Sequence, residues 1–143
     1  MAEDIVEHLK SLHTRAIDAR NGYDEALEDA EGRGLTPLFR EMVALHGGHA
    51  AELEAALNRR GETAGEDGSF MSTVHRTIMS VRGLFGGLGD SVLPGLIDGE
   101  ERNASGYADA LGLPDVPDSE RALLQTQKSR IDAALARMRA ARP

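Results

Sequence analysis

Gly22-Tyr23-Asp24-Glu25-Ala26-Leu27 recurs 84 residues later as Gly106-Tyr107-Ala108-Asp109-Ala110-Leu111, and these two copies hold the only tyrosines of the chain. Each copy runs up to a glycine suited to ending a helix, Gly32 in the first case and Gly112 in the second. A repeat this long exceeds a solenoid unit and fits a helical hairpin: one long helix, a turn and a second helix. The fold class read from it is all-α. Two pseudo-symmetric hairpins pack as a four-helix bundle, and residues 1–143 make a single domain.

The stripes on either side of the repeat agree. Ile5, Leu9, Leu12, Ala16, Tyr23 and Ala26 keep a three-four spacing, which predicts a first amphipathic helix over 4–30. Thr36 is placed to cap a second helix with Pro37 in its first turn, where a missing N–H costs nothing. Leu38, Met42, Leu45, His49, Leu53 and Ala56 form its inward stripe as far as Gly61. After a glycine-rich loop, Phe70, Val74, Ile78, Val81 and Phe85 predict an extra short helix in the crossover between the hairpins. Leu93, Leu96, Ile97, Glu100, Ala104, Tyr107 and Leu111 share a face of the third long helix, which Ser91 is placed to cap. Leu124, Ile131, Leu135 and Met138 line the last, from about 117 to 139. No stretch alternates with period two, so no sheet is expected.

Composition narrows the function. Without cysteine there are no disulfides, thiolate nucleophiles or cysteine-held metals. A net charge of −8 argues against a nucleic-acid partner. No apolar run of 18 residues predicts a membrane span, and the charged first residues lack an apolar leader core, so the expected compartment is the cytoplasm. Residues 1–31 carry nine acids against three bases, while 117–143 carry six bases against three acids. That asymmetry is read as first and last helices lying side by side. Glycines 22, 47, 48, 95, 99 and 106 fall inside helices, where each costs about 0.5–1 kcal/mol against alanine. Close backbone approach is the expected compensation, with a bulge at Gly47-Gly48 as the sharper reading.

A di-iron carboxylate bundle needs one Glu from each of two helices and a Glu-x-x-His from each of the other two. Glu100, seven residues before Tyr107, fits the third helix; the matching position before Tyr23 is Ala16. The second helix offers His46-Gly47-Gly48-His49, two imidazoles on one face, whereas Gln127-Lys128-Ser129-Arg130 on the last helix has neither Glu nor His. Three residues remain for a single iron or zinc ion: His46, His49 and Glu100, between the second and third long helices, with Tyr23, Tyr107 and Lys128 around them. The competing reading is structural. Glu100 then pairs with Lys128 or Arg130 as a buried ion pair where a metal once sat. In that reading His49 bonds to Tyr23 or a carbonyl, and His46 sits at the stripe's wet margin. His8, His13 and His75 read as isolated and partly exposed.

Four segments carry a resemblance: the Gly-Tyr-x-x-Ala-Leu phrase, His49-Ala50-Ala51-Glu52-Leu53, Gly68-Ser69-Phe70-Met71-Ser72-Thr73-Val74-His75-Arg76, and Asp98-Gly99-Glu100-Glu101. Across nearly its whole length the chain resembles an uncharacterised family of small bacterial proteins within the ferritin-like superfamily. The resemblance implies a ferritin-like bundle, a cytoplasmic bacterial protein and a stress- or storage-associated role without established activity. The function expected is a non-enzymatic bundle acting by association with itself or a protein partner, with no cofactor. The alternative is a metal-binding bundle with one residual iron or zinc site. Gly-rich helix faces and the apolar Leu84, Leu88 and Val92 suggest a homodimer.

Overall fold

The computed structural model describes residues 2–30, 36–63 and 93–141, and every described element is α-helical. The elements are α1 (Ala2–Ala30), α2 (Thr36–Arg59), α3 (Leu93–Leu111) and α4 (Asp118–Ala141). There are four helices and no strand among the described residues, as the three-four spacing predicts. The crossover helix, Ser91, His75 and the apolar trio Leu84, Leu88 and Val92 lie outside the described residues.

The helix ends have local causes. At the end of α2 the Gly61 N–H donates to the Asn58 carbonyl (3.0 Å) and the Glu62 N–H to the Leu57 carbonyl (2.9 Å). Gly61 takes a φ of 76°, so this is a Schellman motif that needs glycine. The Gly112 N–H closes α3 on the Ala108 carbonyl (3.0 Å), and Asp115 (φ 62°) turns the chain towards α4. Asp118 and Glu120 stand in the first turn of α4, where the helix dipole favours acids. Thr36 does open α2, but its hydroxyl is buried and takes no hydrogen bond, so the expected side-chain cap is not made.

Contacts between the helices fix the topology. Lys10 meets Glu62 (3.1 Å) near one end of the α1–α2 pair, and Tyr23 stacks on His46 further along, so α1 and α2 are antiparallel. Arg60–Glu120 (2.7 Å), Glu52–Arg130 (3.3 Å) and Glu41–Arg137 make α2 and α4 antiparallel. The α1–α3 and α3–α4 pairs run antiparallel too, through Arg15 on the Arg102 carbonyl with Tyr23 on Glu100, and through Tyr107 on Gln127 with Glu101 on Arg139. The order is thus up, down, down, up. The parallel pairs, α1 with α4 and α2 with α3, sit diagonally across the bundle and their backbones do not approach.

This corrects the reading of charge. The first and last helices do not lie side by side, and the bases of α4 pair with acids on α2 and α3 instead. The glycines also divide. A Cβ on Gly106 would stand 3.0 Å from Arg15 Nη1 and 3.3 Å from Leu12 Cδ2, so close approach explains this one. Gly48 and Gly99 have nothing within 4 Å, and α2 passes through Gly47-Gly48 as regular α-helix without a bulge.

Candidate functional site

Leu, Ile, Ala and Met fill most of the core, but its middle is polar. Glu100 points inward from α3 because its neighbours on the stripe, Ile97 and Ala104, are buried, and it is itself only 2% exposed. Its Oε2 accepts from the Tyr23 hydroxyl of α1 (2.7 Å) and lies 2.9 Å from His46 Nε2 of α2. Asn103, one turn on, donates to Oε1 (3.2 Å). Burial alone would push this carboxyl up. Only together do the neighbouring His46 and the bonds from His46, Tyr23 and Asn103 outweigh it and hold Glu100 below the usual value. The carboxylate is therefore ionised at neutral pH.

A second polar cluster completes a belt through all four helices. The Tyr107 hydroxyl donates to Gln127 Oε1 (2.7 Å), and Gln127 Nε2 donates to Glu52 Oε1 (2.9 Å) and the His49 carbonyl (3.3 Å). Both phenols are held protonated: burial raises Tyr23 well above its ordinary value, helped by Glu100, and raises Tyr107 likewise. His49 is the exception to a well-satisfied centre. It is 1% exposed, neither ring nitrogen has a hydrogen-bond partner, and burial together with the nearby His46 lowers its pKa to about 4. It stands edge-on to His46 and Tyr107, ring centroids 6.3 and 6.4 Å away.

The structure therefore brings His46 and Glu100 together and leaves His49 beside them, bonded neither to Tyr23 nor to a carbonyl. His46 is buried at 2% exposure, not at a wet margin. Lys128 is absent from this centre, since its Nζ pairs with Asp132 on the surface (2.9 Å), and Arg130 pairs with Glu52. The side chain beside Glu100 is His46. His13, read as partly exposed, is 4% exposed with Nδ1 unpaired, its pKa lowered chiefly by burial. The asparagine and glutamine of the belt escaped sequence reading. Asn103 could have been found as the i+3 neighbour of Glu100, and Gln127 as the middle of a three-four run from Leu124 to Ile131.

Of the three residues expected to hold iron or zinc, His46 and Glu100 are bonded to each other and His49 stands beside them. Both Glu100 oxygens already accept from side chains, His46 turns its Nε2 to Glu100, and among the described residues no three His, Asp or Glu gather as a ligand group. Beside Ala16 a cavity of about 10 Å³ remains, lined by Leu12, Arg15, Ala16, His46, Asn103, Tyr107 and Ile131. That is room for about one water among several polar groups.

Residues 4–113 match the family described as Domain of unknown function (DUF2383). The chain belongs to this family. No curated protein and no solved structure matches the chain. The DUF2383 match takes in Tyr23, His46, His49, Glu100, Asn103 and Tyr107, and stops before α4, which supplies Gln127. No described helix is long and apolar enough to cross a membrane.

Proposed function

We propose that this DUF2383 protein is a non-enzymatic, ferritin-like bundle that acts by association, first of all with a second copy of itself. The finer reading of its architecture is two pseudo-symmetric hairpins. In its support, buried positions of α1 and α3 correspond at a spacing of 84: Leu12, His13, Ala16, Tyr23 and Ala26 with Leu96, Ile97, Glu100, Tyr107 and Ala110. Those of α2 and α4 correspond at 85: Phe39, Met42, His46, His49, Ala50 and Leu53 with Leu124, Gln127, Ile131, Ala134, Leu135 and Met138. An up-down-down-up order with one long connection is also the ferritin-like arrangement. In that frame Ala16 stands where the second hairpin has Glu100, and Ile131 and Ala134 stand where the first has His46 and His49. The stress- or storage-associated role in a bacterial cytoplasm belongs to the same reading.

Gly48 is the observation that carries association. It sits in mid-helix on the outer face of α2, at the cost given above, with nothing within 4 Å to require a glycine. Ala44, Ala51 and Ala55 flank it at four-three spacing, all exposed. The neighbouring α4 exposes Ala122, Thr126, Ser129, Ala133, Ala136 and Ala140 at the same spacing. The ion pairs Glu41–Arg137 and Glu52–Arg130 set Gly48 level with Ala133. A two-fold axis along the bundle would lay the acid-edged stripe of α2 against the base-edged stripe of α4 from a second copy. The helices would run antiparallel and close, because nothing larger than the Thr126 side chain intervenes.

Light scattering with the untagged protein, Ala51→Glu and Ala133→Glu tests this. A wild-type dimer at micromolar concentration and monomeric variants are expected; a wild-type monomer defeats self-association. Elemental analysis of the same samples tests the other half of the proposal. About one equivalent of iron or zinc per chain, lost in His49→Ala, would return the function to metal binding.

A further inference from the structure

Tyr23 and Tyr107 open the same phrase, are equally buried at 3% exposure, and donate hydrogen bonds of equal length, 2.7 Å. Their acceptors differ in kind. Tyr23 donates to the carboxylate of Glu100, which His46 backs at 2.9 Å, and Tyr107 donates to the amide oxygen of Gln127. A carboxylate can accept the proton outright; an amide cannot. The difference is small while the phenols stay intact. It becomes large when an electron is removed, because an oxidised phenol that keeps its proton is a strong acid and costly to form. Loss of the electron is easy only where a positioned base takes the proton in the same step, as in general-base catalysis.

Tyrosine, tryptophan and cysteine give up a single electron most readily, and the chain has no tryptophan and no cysteine, which leaves these two phenols. Each tyrosine is followed by an exposed residue, Asp24 or Ala108, so access to the surface does not separate them.

We propose that Tyr23 is an internal one-electron donor to small oxyl-radical oxidants such as nitrogen dioxide, with Glu100 as its proton acceptor. The electron passes from the Tyr23 phenol to nitrogen dioxide, which becomes nitrite. The Oη–H bond breaks and its proton forms an O–H bond at Glu100 Oε2. The products are a neutral tyrosyl radical and a neutral carboxylic acid, so the buried centre takes on no unpaired charge from the phenol. Tyr107, whose Gln127 has no site for the proton, is the comparison built into the same molecule.

The test uses photo-oxidised tris(bipyridine)ruthenium(III) as oxidant at pH 7, following the tyrosyl radical by transient absorption and freeze-quenched electron paramagnetic resonance. Wild type, Tyr23→Phe and Tyr107→Phe are compared, since the loss of one hydroxyl leaves either ring in place. The rate of tyrosyl formation is expected to fall about tenfold in Tyr23→Phe, equivalent to about 1.4 kcal/mol in barrier, and by less than about twofold in Tyr107→Phe. In Glu100→Gln, with helicity checked by circular dichroism, the rate is expected to drop to the level of Tyr23→Phe. The wild-type rate should also slow in deuterated water, because the proton moves with the electron. Absence of a tyrosyl signal in wild type, an equal or larger loss in Tyr107→Phe, or a rate indifferent to deuterium overturns the assignment.

Discussion

His46 Nε2 reaches Glu100 Oε2 at 2.9 Å across the diagonal of the bundle, joining α2 and α3, whose backbones make no approach. Both side chains are 2% exposed. A diagonal pair of this kind restrains all four helices, because sliding either helix along its neighbours stretches it. Tyr23 adds α1 to the same oxygen, and the Tyr107–Gln127–Glu52 chain brings in α4. The centre thus specifies register while the surrounding apolar stripes supply most of the burial.

Glu100→Gln leaves a buried His46 and the Tyr23 hydroxyl facing an amide. Removing one partner of a buried pair typically costs about 3–5 kcal/mol. The Tyr23 hydroxyl can still donate to the amide oxygen, so the low end, about 3 kcal/mol, is expected here. Urea unfolding at pH 7 measures it. A chelator should leave wild-type stability unchanged; a fall of the wild-type midpoint to the variant's value with chelator would show that a metal had shared the site.

His49 makes the opposite prediction. Its two unpaired nitrogens are buried at a cost, so His49→Leu, similar in volume and free of polar atoms, should be neutral or stabilising by about 1 kcal/mol at pH 7. A loss of stability in this variant would mean that a bound partner satisfies those nitrogens in the native protein.

Stability should fall on acidification, and the sign follows from His49. Its folded pKa of about 4 lies below the ordinary 6.5, so the unfolded chain binds the proton first. Stability is whole above pH 6.5, declines between 6.5 and 4, and the total loss is about 3 kcal/mol. The groups facing it act both ways: His46 and Arg130 lower its pKa, while Glu52 and Glu100 raise it. Glu100 adds a second loss at lower pH, since its own contribution disappears as pH falls below 4.5 through its depressed value. Denaturation curves from pH 7.5 to 3.5 should show the first decline in wild type and a flatter one in His49→Leu. Equal slopes in the two proteins would place the proton elsewhere, with His13, also lowered, the next to examine.

The helices were legible in the sequence because their information is local: stripe spacing, Pro37 in a first turn, Gly61 and Gly112 at ends. The inward carboxylate was legible too, since Glu100 interrupts a stripe of Leu, Ile, Ala and Tyr. Its partner was not. Choosing His46 over Lys128 requires knowing that α2 lies diagonal to α3 and that α4 turns Lys128 outward to Asp132, facts that depend on long-range packing. Net charge misled for the same reason, because opposite charges on α1 and α4 need not touch when each has nearer partners. Gln127 was hidden by its type: an amide resembles surface until its neighbours show that it has three groups to serve.

Gly48 and Gly106 should respond oppositely to alanine, although both lie within helices. At Gly106 a Cβ meets Leu12 Cδ2 at 3.3 Å and the Arg15 guanidinium at 3.0 Å. The guanidinium can swing away at the loss of its bond to the Arg102 carbonyl, but Leu12 is core and can yield only by disturbing its neighbours. The gain in helix propensity, about 0.5–1 kcal/mol, is therefore cancelled or exceeded, and Gly106→Ala should not stabilise. At Gly48 nothing opposes the Cβ, so Gly48→Ala should stabilise the isolated chain by about 0.5–1 kcal/mol. If α2 packs closely on α4 of a second copy, the same methyl group widens the interface and the dimer should dissociate more readily. Thermal melts at low concentration, paired with sedimentation at high concentration, separate the two effects. A variant that gains chain stability and associates as tightly as wild type would remove Gly48 from the interface.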